Sequence, residues 1–280
     1  MQETLIKREL KGKGREIVLR ARGSSHGPIT RLVSPSGLGQ AIKPFVFLDY
    51  FDIDPKRMPA IGFHPHSGIE TVTAVLQGQL LYQETSGTEG LIDEGGVEWM
   101  HAGGGVWHSG GPAGNARIKG YQLWIALPPE EENSDSEARY VDASRFRKNG
   151  PARIILGRYG NVASEVRAPG GVNYLDVALK KGEKWRYEPP SGHTVAWAAV
   201  HEGELAAPAI GAGQLAVFEE SNTAIEFEAS EHTGFIIGSA VKHPYNLVMG
   251  AYSVHTSRHA LEKGEARIAE IGKRYPFVRS

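Results

Sequence analysis

Short apolar runs, separated by turn residues along the whole chain, constrain the fold more than any other feature of this sequence. Typical runs lie at residues 45–48, 71–76, 121–125, 174–179, 194–200 and 234–238. Runs of four to eight residues that are rich in Val, Ile, Tyr and Phe and bounded by Gly, Pro or Asn are typical of strands. The 280 residues include 35 glycines and 16 prolines, which supply the turns between the runs. The pattern predicts an all-β fold of the sandwich or barrel type.

One helical pattern is expected, close to the C-terminus. The apolar residues Leu261, Ile268 and Ile271 fall on one face of a helix, with Lys, Arg and Glu at the other positions. Thr256 or Ser257 is suited to cap the first turn of this helix, because a hydroxyl oxygen can accept from its unpaired N–H groups.

A polar stretch at residues 128–136 predicts a boundary between two domains. It contains four carboxylates and no apolar residue to bury, so we expect it to stay solvated. The predicted domains are residues 1–130 and residues 131–280, with a linker at about 128–138. Residues 70–78 and 194–203 both read as a strand, a glycine turn and a returning strand, which indicates that the two domains share one scaffold.

Composition excludes several classes of protein. The chain has no cysteine, so it has no disulfide, no thiolate metal site and no cysteine nucleophile. A net charge of −1 argues against a nucleic acid as the main partner. No apolar run approaches the ~20 residues that cross a membrane. The first eight residues mix acidic and basic side chains where a signal peptide needs an apolar stretch, so a cytoplasmic location is expected.

Three histidines in the first half are the best candidates for metal ligands. His64 and His66 are two residues apart, so their rings point to the same face of an extended strand. His108 follows on a later strand, and Glu70 shares the parity of His66 if that strand stays regular. Three imidazoles and a carboxylate suit Fe, Ni, Cu, Mn or Zn. The alternative is that the two residues of the His-x-His pair are ordinary surface or turn histidines.

Three longer stretches, at residues 62–73, 97–109 and 243–257, resemble the pirin family in both sequence and spacing. The resemblance implies a bicupin: two antiparallel cupin barrels (double-stranded β-helices, or jelly rolls) packed face to face, with one metal, usually iron, in the N-terminal barrel. It also implies a ligand set of two histidines from a His-Pro-His motif, a third histidine and a glutamate two residues later. His64, His66 and His108 match this set, but Gly110 occupies the position of the glutamate.

The missing carboxylate at Gly110 leaves three alternatives for the site. Glu70, at the general cupin ligand position, can replace it; water or a bound anion can fill the position; or the barrel has lost its metal. Glu70 can alternatively orient a ligand histidine through a hydrogen bond, and His101 is a second candidate for a replacement ligand or a pocket base. Glu98 is expected to be exposed to solvent.

Two classes of function follow from the resemblance. One is a metal-dependent dioxygenase that acts on a small aromatic substrate, a flavonol such as quercetin, with Glu70 as the general base that removes the hydroxyl proton. The other is a non-catalytic regulatory protein, with or without metal, that acts through contacts with a protein partner. An enzyme needs an open cavity above the metal, whereas a binding protein can fill it with Phe63, Met100 or Trp107. The oligomeric state stays open.

Overall fold

A computed structural model describes residues 14–58, 61–85, 87–168 and 170–275. The first half contributes β1 (Ile17–Ala21), β2 (Ser24–His26), β3 (Ile29–Val33), β4 (Phe45–Ile53), β5 (Ile61–His66), β6 (Ile69–Gln77), β7 (Leu80–Glu84), β8 (Glu89–Ile92), β9 (Val97–His101), β10 (Val106–Pro112) and β11 (Ile118–Ala126). The second half contributes β12 (Glu137–Val141), β13 (Lys148–Asn149), β14 (Ala152–Leu156), β15 (Arg158–Tyr159), β16 (Val162–Ala163), β17 (Val172–Leu179), β18 (Lys184–Tyr187), β19 (Val195–Glu202), β20 (Glu204–Ala207), β21 (Ala209–Gly211), β22 (Leu215–Phe218), β23 (Ile225–Ala229), β24 (Thr233–Ala240), β25 (Val248–Met249) and β26 (Val254–His255). The helices are α1 (Leu38–Ala41), a short 3-10 turn at Ala143–Arg145, and α2 (Arg258–Arg274).

The strands form two barrels, each made of one large and one small antiparallel sheet. In the first barrel, the order β12-β9-β6-β11-β4-β3-β2 faces the order β5-β10-β7-β8. In the second, β1-β22-β19-β24-β17-β14-β13 faces β18-β23-β20-β21. The two seven-stranded sheets pack against each other, since one apolar core joins Val72, Trp99 and Leu123 to Trp197 and Ile236. The predicted all-β bicupin architecture is confirmed.

Strands cross the predicted boundary between the domains in both directions. β1 pairs with β22 of the second barrel, and β12 pairs with β9 of the first. The domain bounds 1–130 and 131–280 therefore stay a prediction, one that the sheet order does not follow strictly. The segment expected to be solvated is in part buried: Glu132 is only 3% exposed. Its carboxylate accepts hydrogen bonds from the backbone N–H and hydroxyl of Thr256 and from His255 Nδ1, and these three donors compensate its burial.

Helix α2 packs against the outside of the first barrel. As predicted, Ser257 caps it, with its hydroxyl oxygen 3.2 Å from the N–H of Ala260. Its apolar face covers Trp107, whose indole N–H donates to the carbonyl oxygen of Ile268 at 2.9 Å. In the part of the chain that the structure describes, no helix has the length and apolarity to span a bilayer. The cytoplasmic location stays a prediction, and the first eight residues, on which it partly depends, lie outside the described residues.

Candidate metal centre

The three candidate histidines converge inside the first barrel. β5 and β10 pair so that His64 lies directly opposite His108. The Nε2 atoms of these two rings are 3.0 Å apart, and His66, fully buried, places a ring nitrogen within 4.8 Å of the other two. The structure thus brings together all three histidines that the sequence singled out.

Each ring is oriented by a hydrogen bond at its other nitrogen. His64 Nδ1 donates to the carbonyl oxygen of Gly62 at 2.9 Å, and His66 Nδ1 donates to that of Tyr252 at 3.1 Å. His108 Nδ1 lies 3.2 Å from the carboxylate of Glu98. Because a carbonyl or carboxylate oxygen only accepts, these contacts leave the neutral rings with their lone pairs on Nε2.

The arrangement fits a divalent metal. Two Nε2 lone pairs that face each other at 3.0 Å repel unless a cation lies between them. His66 Nε2 is buried, and no described residue gives it a hydrogen-bond partner. Burial, followed by the neighbouring His108, lowers the pKa of His64 to about 4. The same causes hold the pKa of His66 well below its ordinary value. Both rings are therefore neutral at pH 7, as metal ligands must be.

The structure does not bring Glu70 to the three histidines. β5 ends at His66, and a turn through Gly68, whose φ is +76°, separates it from β6. The turn breaks the alternation on which the shared parity of His66 and Glu70 depended, so Glu70 points towards the second barrel. Its fully buried carboxylate lies 3.2 Å from Trp99 Nε1 and 3.2 Å from His101 Nδ1. Burial raises the pKa of Glu70, and the contacts with His101 and Trp99 oppose the rise.

His101, the other replacement candidate, is likewise committed elsewhere. Its Nδ1 faces Glu70, and its Nε2 lies 2.8 Å from the hydroxyl of Ser134. Glu70, His101 and Glu131 form a second cluster of ligand atoms, separate from the three histidines. His101 therefore orients Glu70 and anchors the segment around Ser134.

Glu98 is the functional residue that sequence reasoning missed. The prediction that it is exposed is wrong, because its exposed fraction is 3%. Trp99 faces the core between the barrels, so Glu98 points the other way, into the first barrel rather than into solvent. Its second oxygen accepts from the hydroxyl of Thr73 at 2.8 Å. Burial alone would raise the pKa of Glu98, but His108 and Thr73 together hold it below its ordinary value. The sequence did contain a signal for this position. Glu98 and Trp99 are neighbours on one strand, so their side chains point to opposite faces of the sheet.

A row of polar side chains crosses the large sheet of the first barrel and ends at the histidines. Five residues lie directly opposite one another on the adjacent strands β3, β4, β11, β6 and β9. In that order they are Arg31, Asp49, Gln122, Thr73 and Glu98. Arg31 is ion-paired with Asp49, Gln122 Nε2 lies 3.5 Å from the Thr73 hydroxyl, and Glu98 contacts His108. The row runs from Arg31 at one end to the three histidines at the other.

Two cavities that share several lining residues lie beside the histidines. An inner cavity of about 60 Å³ is lined by Glu98, His108 and Gly110 and otherwise mainly by apolar side chains. A mouth of about 580 Å³ opens to solvent, and His64 borders both spaces. Gly110 lines the inner cavity without a side chain: a Cβ there would lie 3.1 Å from the carbonyl oxygen of Leu81 and 3.7 Å from Leu80, which lines the same space.

The side chains that could have filled the mouth do not close it. Phe63 forms part of its wall. Met100 is fully buried in a neighbouring core cluster, and Trp107 packs under helix α2. The site therefore has the open cavity that an enzyme requires.

Comparisons with known proteins agree with this architecture. A family model described as Pirin matches residues 28–125. A Pseudomonas aeruginosa protein named "Putative quercetin 2,3-dioxygenase PA2418" is 32% identical over 227 residues, which cover 75% of this chain and 79% of that protein. The crystal structure of quercetin 2,3-dioxygenase from Acinetobacter baumannii matches with a TM-score of 0.84 at 23% identity, covering 93% of this chain and 98% of that chain. The bacterial pirin YhhW from Escherichia coli, solved in complex with nickel(II), has a TM-score of 0.66 at 21% identity, covering 82% and 98%.

Proposed function

Because the chain belongs to the pirin family, we propose that it holds one divalent metal between His64, His66 and His108 and acts as a dioxygenase on a small aromatic substrate of the flavonol type. The observation that carries the proposal is the convergence of three Nε2 lone pairs beside an open cavity, one of them buried and without a hydrogen-bond partner among the described residues. Iron(II) is the proposed metal, and Ni, Cu, Mn or Zn also suit an imidazole site. The names of the Pseudomonas and Acinetobacter proteins support the reaction class.

Glu98 supplies the negative charge that Gly110 does not. A buried cation among neutral imidazoles is costly unless an anion lies near it. Glu98 is ionised and contacts His108 on the nitrogen remote from the metal position, which orients the ring and makes Nε2 a stronger donor. The site therefore needs neither Glu70 nor a carboxylate at position 110 to hold a cation.

The mouth provides space for the substrate. Its volume of about 580 Å³ falls within the ~300–1,000 Å³ of small-molecule sites, large enough for a fused ring system. When bound, a divalent metal supplies Lewis acidity that makes a substrate hydroxyl easier to deprotonate. The residues that line the mouth orient the aromatic ring of the substrate. The apolar side chains of the inner cavity limit the access of water.

The deciding experiment is the metal content of protein purified without a His-tag and without added metal. The variant His64→Ala/His66→Ala removes two proposed ligands, and His232→Ala/His259→Ala removes two exposed histidines as a matched control. We expect near-stoichiometric metal in the wild type and the control, loss in the ligand variant, and O2 consumption with a flavonol in the iron-loaded wild type. Less than about a tenth of an equivalent in the wild type, unrecovered on adding Fe(II), contradicts the proposal.

A second candidate function, contact with a protein partner, has one observation in its favour. Leu81 and Leu91 lie opposite each other on β7 and β8 and are 48% and 54% exposed. Both leucines line a surface groove together with Ile61 and Tyr82, and contiguous exposed apolar patches mark interaction surfaces. The two functions separate experimentally: Leu81→Ser/Leu91→Ser should leave O2 consumption unchanged and should weaken only a protein contact.

A further inference from the structure

The proposed reaction requires a group that accepts the proton of the substrate hydroxyl. Glu70, the base expected from the sequence, faces away from the cavity. Among the described residues, two carboxylates line the inner cavity, Glu98 and Asp49. Glu98 borders only the inner cavity, where it contacts His108 and Thr73, whereas Asp49 also borders the mouth from which a substrate enters. Asp49 is therefore the carboxylate whose role remains to be explained.

Asp49 lies where the inner cavity meets the mouth. It borders both spaces, as the candidate ligand His64 does, so a substrate that occupies them is in reach of both residues. Within the sheet, Asp49 has Arg31 opposite it on one side and Gln122 on the other. Arg31 holds it through two hydrogen bonds, from Nε at 2.5 Å and from Nη2 at 3.0 Å. Each carboxylate oxygen keeps a lone pair for a further donor.

The surroundings of Asp49 favour a carboxylate that can accept a proton. Asp49 is only 7% exposed, and burial raises its pKa, although Arg31 and, more weakly, His26 oppose the rise. On the other neighbouring strand, Gln122 is neutral. A base with a raised pKa transfers protons more readily at neutral pH than a surface carboxylate does.

Arg31 gives the same place a planar, positively charged surface. Its guanidinium carbon lies 4.0 Å from the centroid of the Phe47 ring, and Phe47 in turn stacks on Trp124 at 3.9 Å. The ion pair with Asp49 and the stacking hold the guanidinium in place, yet the side chain is 41% exposed at the mouth. A fixed guanidinium attracts the oxyanion that deprotonation creates and packs well against an aromatic ring.

We propose that Asp49 is a catalytic residue that accepts the proton of a phenolic or enolic hydroxyl on a planar aromatic substrate, and that Arg31 stabilises the resulting oxyanion. The O–H bond of the substrate breaks, its electron pair stays on the substrate oxygen, and a new O–H bond forms on Asp49. No oxidant takes part in this step. The assignment rests on the proposed function and deepens it by naming the residue that takes the proton and the residue that stabilises the oxyanion.

The test compares Asp49→Asn with Asp52→Asn. Asp52 lies on the same strand and is also ion-paired with an arginine, Arg117, but it does not line the cavity, so it controls for the loss of an ion-paired carboxylate. In the zinc-loaded protein without O2, the absorbance of bound 3-hydroxyflavone reports its deprotonated fraction. We expect Asp49→Asn to lower that fraction at pH 7 at least threefold, and to reduce kcat of the iron-loaded protein about 100-fold with KM within about threefold. Asp52→Asn should match the wild type.

A second measurement keeps the assignment testable if Asp49→Asn does not fold. Arg31→Met leaves Asp49 in place and removes the nearest cation, which raises the pKa of Asp49. The acid limb of kcat/KM should then move to higher pH than in the wild type. An unmoved limb, or an Asp49→Asn variant that behaves like Asp52→Asn, overturns the assignment. A wild type that neither binds 3-hydroxyflavone nor consumes O2 with it refutes the proposed function instead.

Discussion

Replacing Glu98 with glutamine tests whether a carboxylate behind His108 compensates for the glycine at position 110. The glutamine keeps the size of the side chain, its carbonyl oxygen can still accept from His108 Nδ1, and its amide can donate to the Thr73 hydroxyl. Both hydrogen bonds of Glu98 therefore have a replacement, and only the negative charge is lost. The variant isolates the electrostatic contribution of Glu98 to metal binding.

The magnitude follows from the position of Glu98. It acts through one imidazole, and removal of such a partner typically costs about 10–100-fold in metal affinity. That range corresponds to about 1.4–2.8 kcal/mol of binding free energy. We expect the upper part of the range, since the carboxylate is buried and contacts a histidine directly.

The assay is a competition titration of zinc against a chromophoric chelator at one fixed pH. Glu70→Gln is the matched control, because it also neutralises a buried carboxylate that faces a histidine in the same sheet. We expect it to leave zinc affinity within about twofold of the wild type. If Glu70→Gln weakens zinc binding and Glu98→Gln does not, Glu70 is the anion of the site and the reasoning about Glu98 is refuted.

Three further predictions concern the cavity, the linker and the second barrel. Gly110→Glu should tighten zinc binding about tenfold and lower kcat on a flavonol, because it adds a carboxylate to the wall of the inner cavity that His108 also lines; unchanged affinity in the titration counts against this reasoning. Glu132→Ala removes a buried carboxylate and leaves its three donors unpaired, so chemical denaturation should show a loss of about 2–4 kcal/mol; a loss below about 1 kcal/mol contradicts it. Burial lowers the pKa of His193 from 6.5 to about 4. As the pH falls from 6.5 to about 4, His193 therefore gains a proton in the unfolded chain but not in the folded one, and the free energy of unfolding decreases. His193→Gln should flatten this dependence in thermal melts between pH 7 and pH 4, and an unchanged slope contradicts the assignment.

Much of the fold was readable from local pattern alone. Strand-length apolar runs between turn residues predicted an all-β fold, and the structure contains the strands because side chains alternate along a strand whatever its partners are. The resemblance to pirins, not the local pattern, implied that the strands form two barrels. The start of helix α2 at Ser257 was predictable because capping depends on a hydroxyl and the three residues after it. His64 and His66 were predictable as a pair because both lie within one strand, where spacing determines direction.

Relations across turns and between strands were decided by the tertiary structure. The turn at Gly68 lies between His66 and Glu70. It interrupts the alternation of side-chain directions along the chain, so Glu70 lies on the opposite face of the sheet. Glu98 has a partner on another strand, His108, so its burial depends on the small sheet of the first barrel covering the inner face of its own sheet. The crossing of β1 and β12 depends on strand pairing, which no local pattern encodes. The sequence by itself therefore determined the strands and the three histidines. The carboxylate that supplies negative charge beside them, Glu98, follows from which strands lie side by side, because electrostatic interactions act through space and not along the chain.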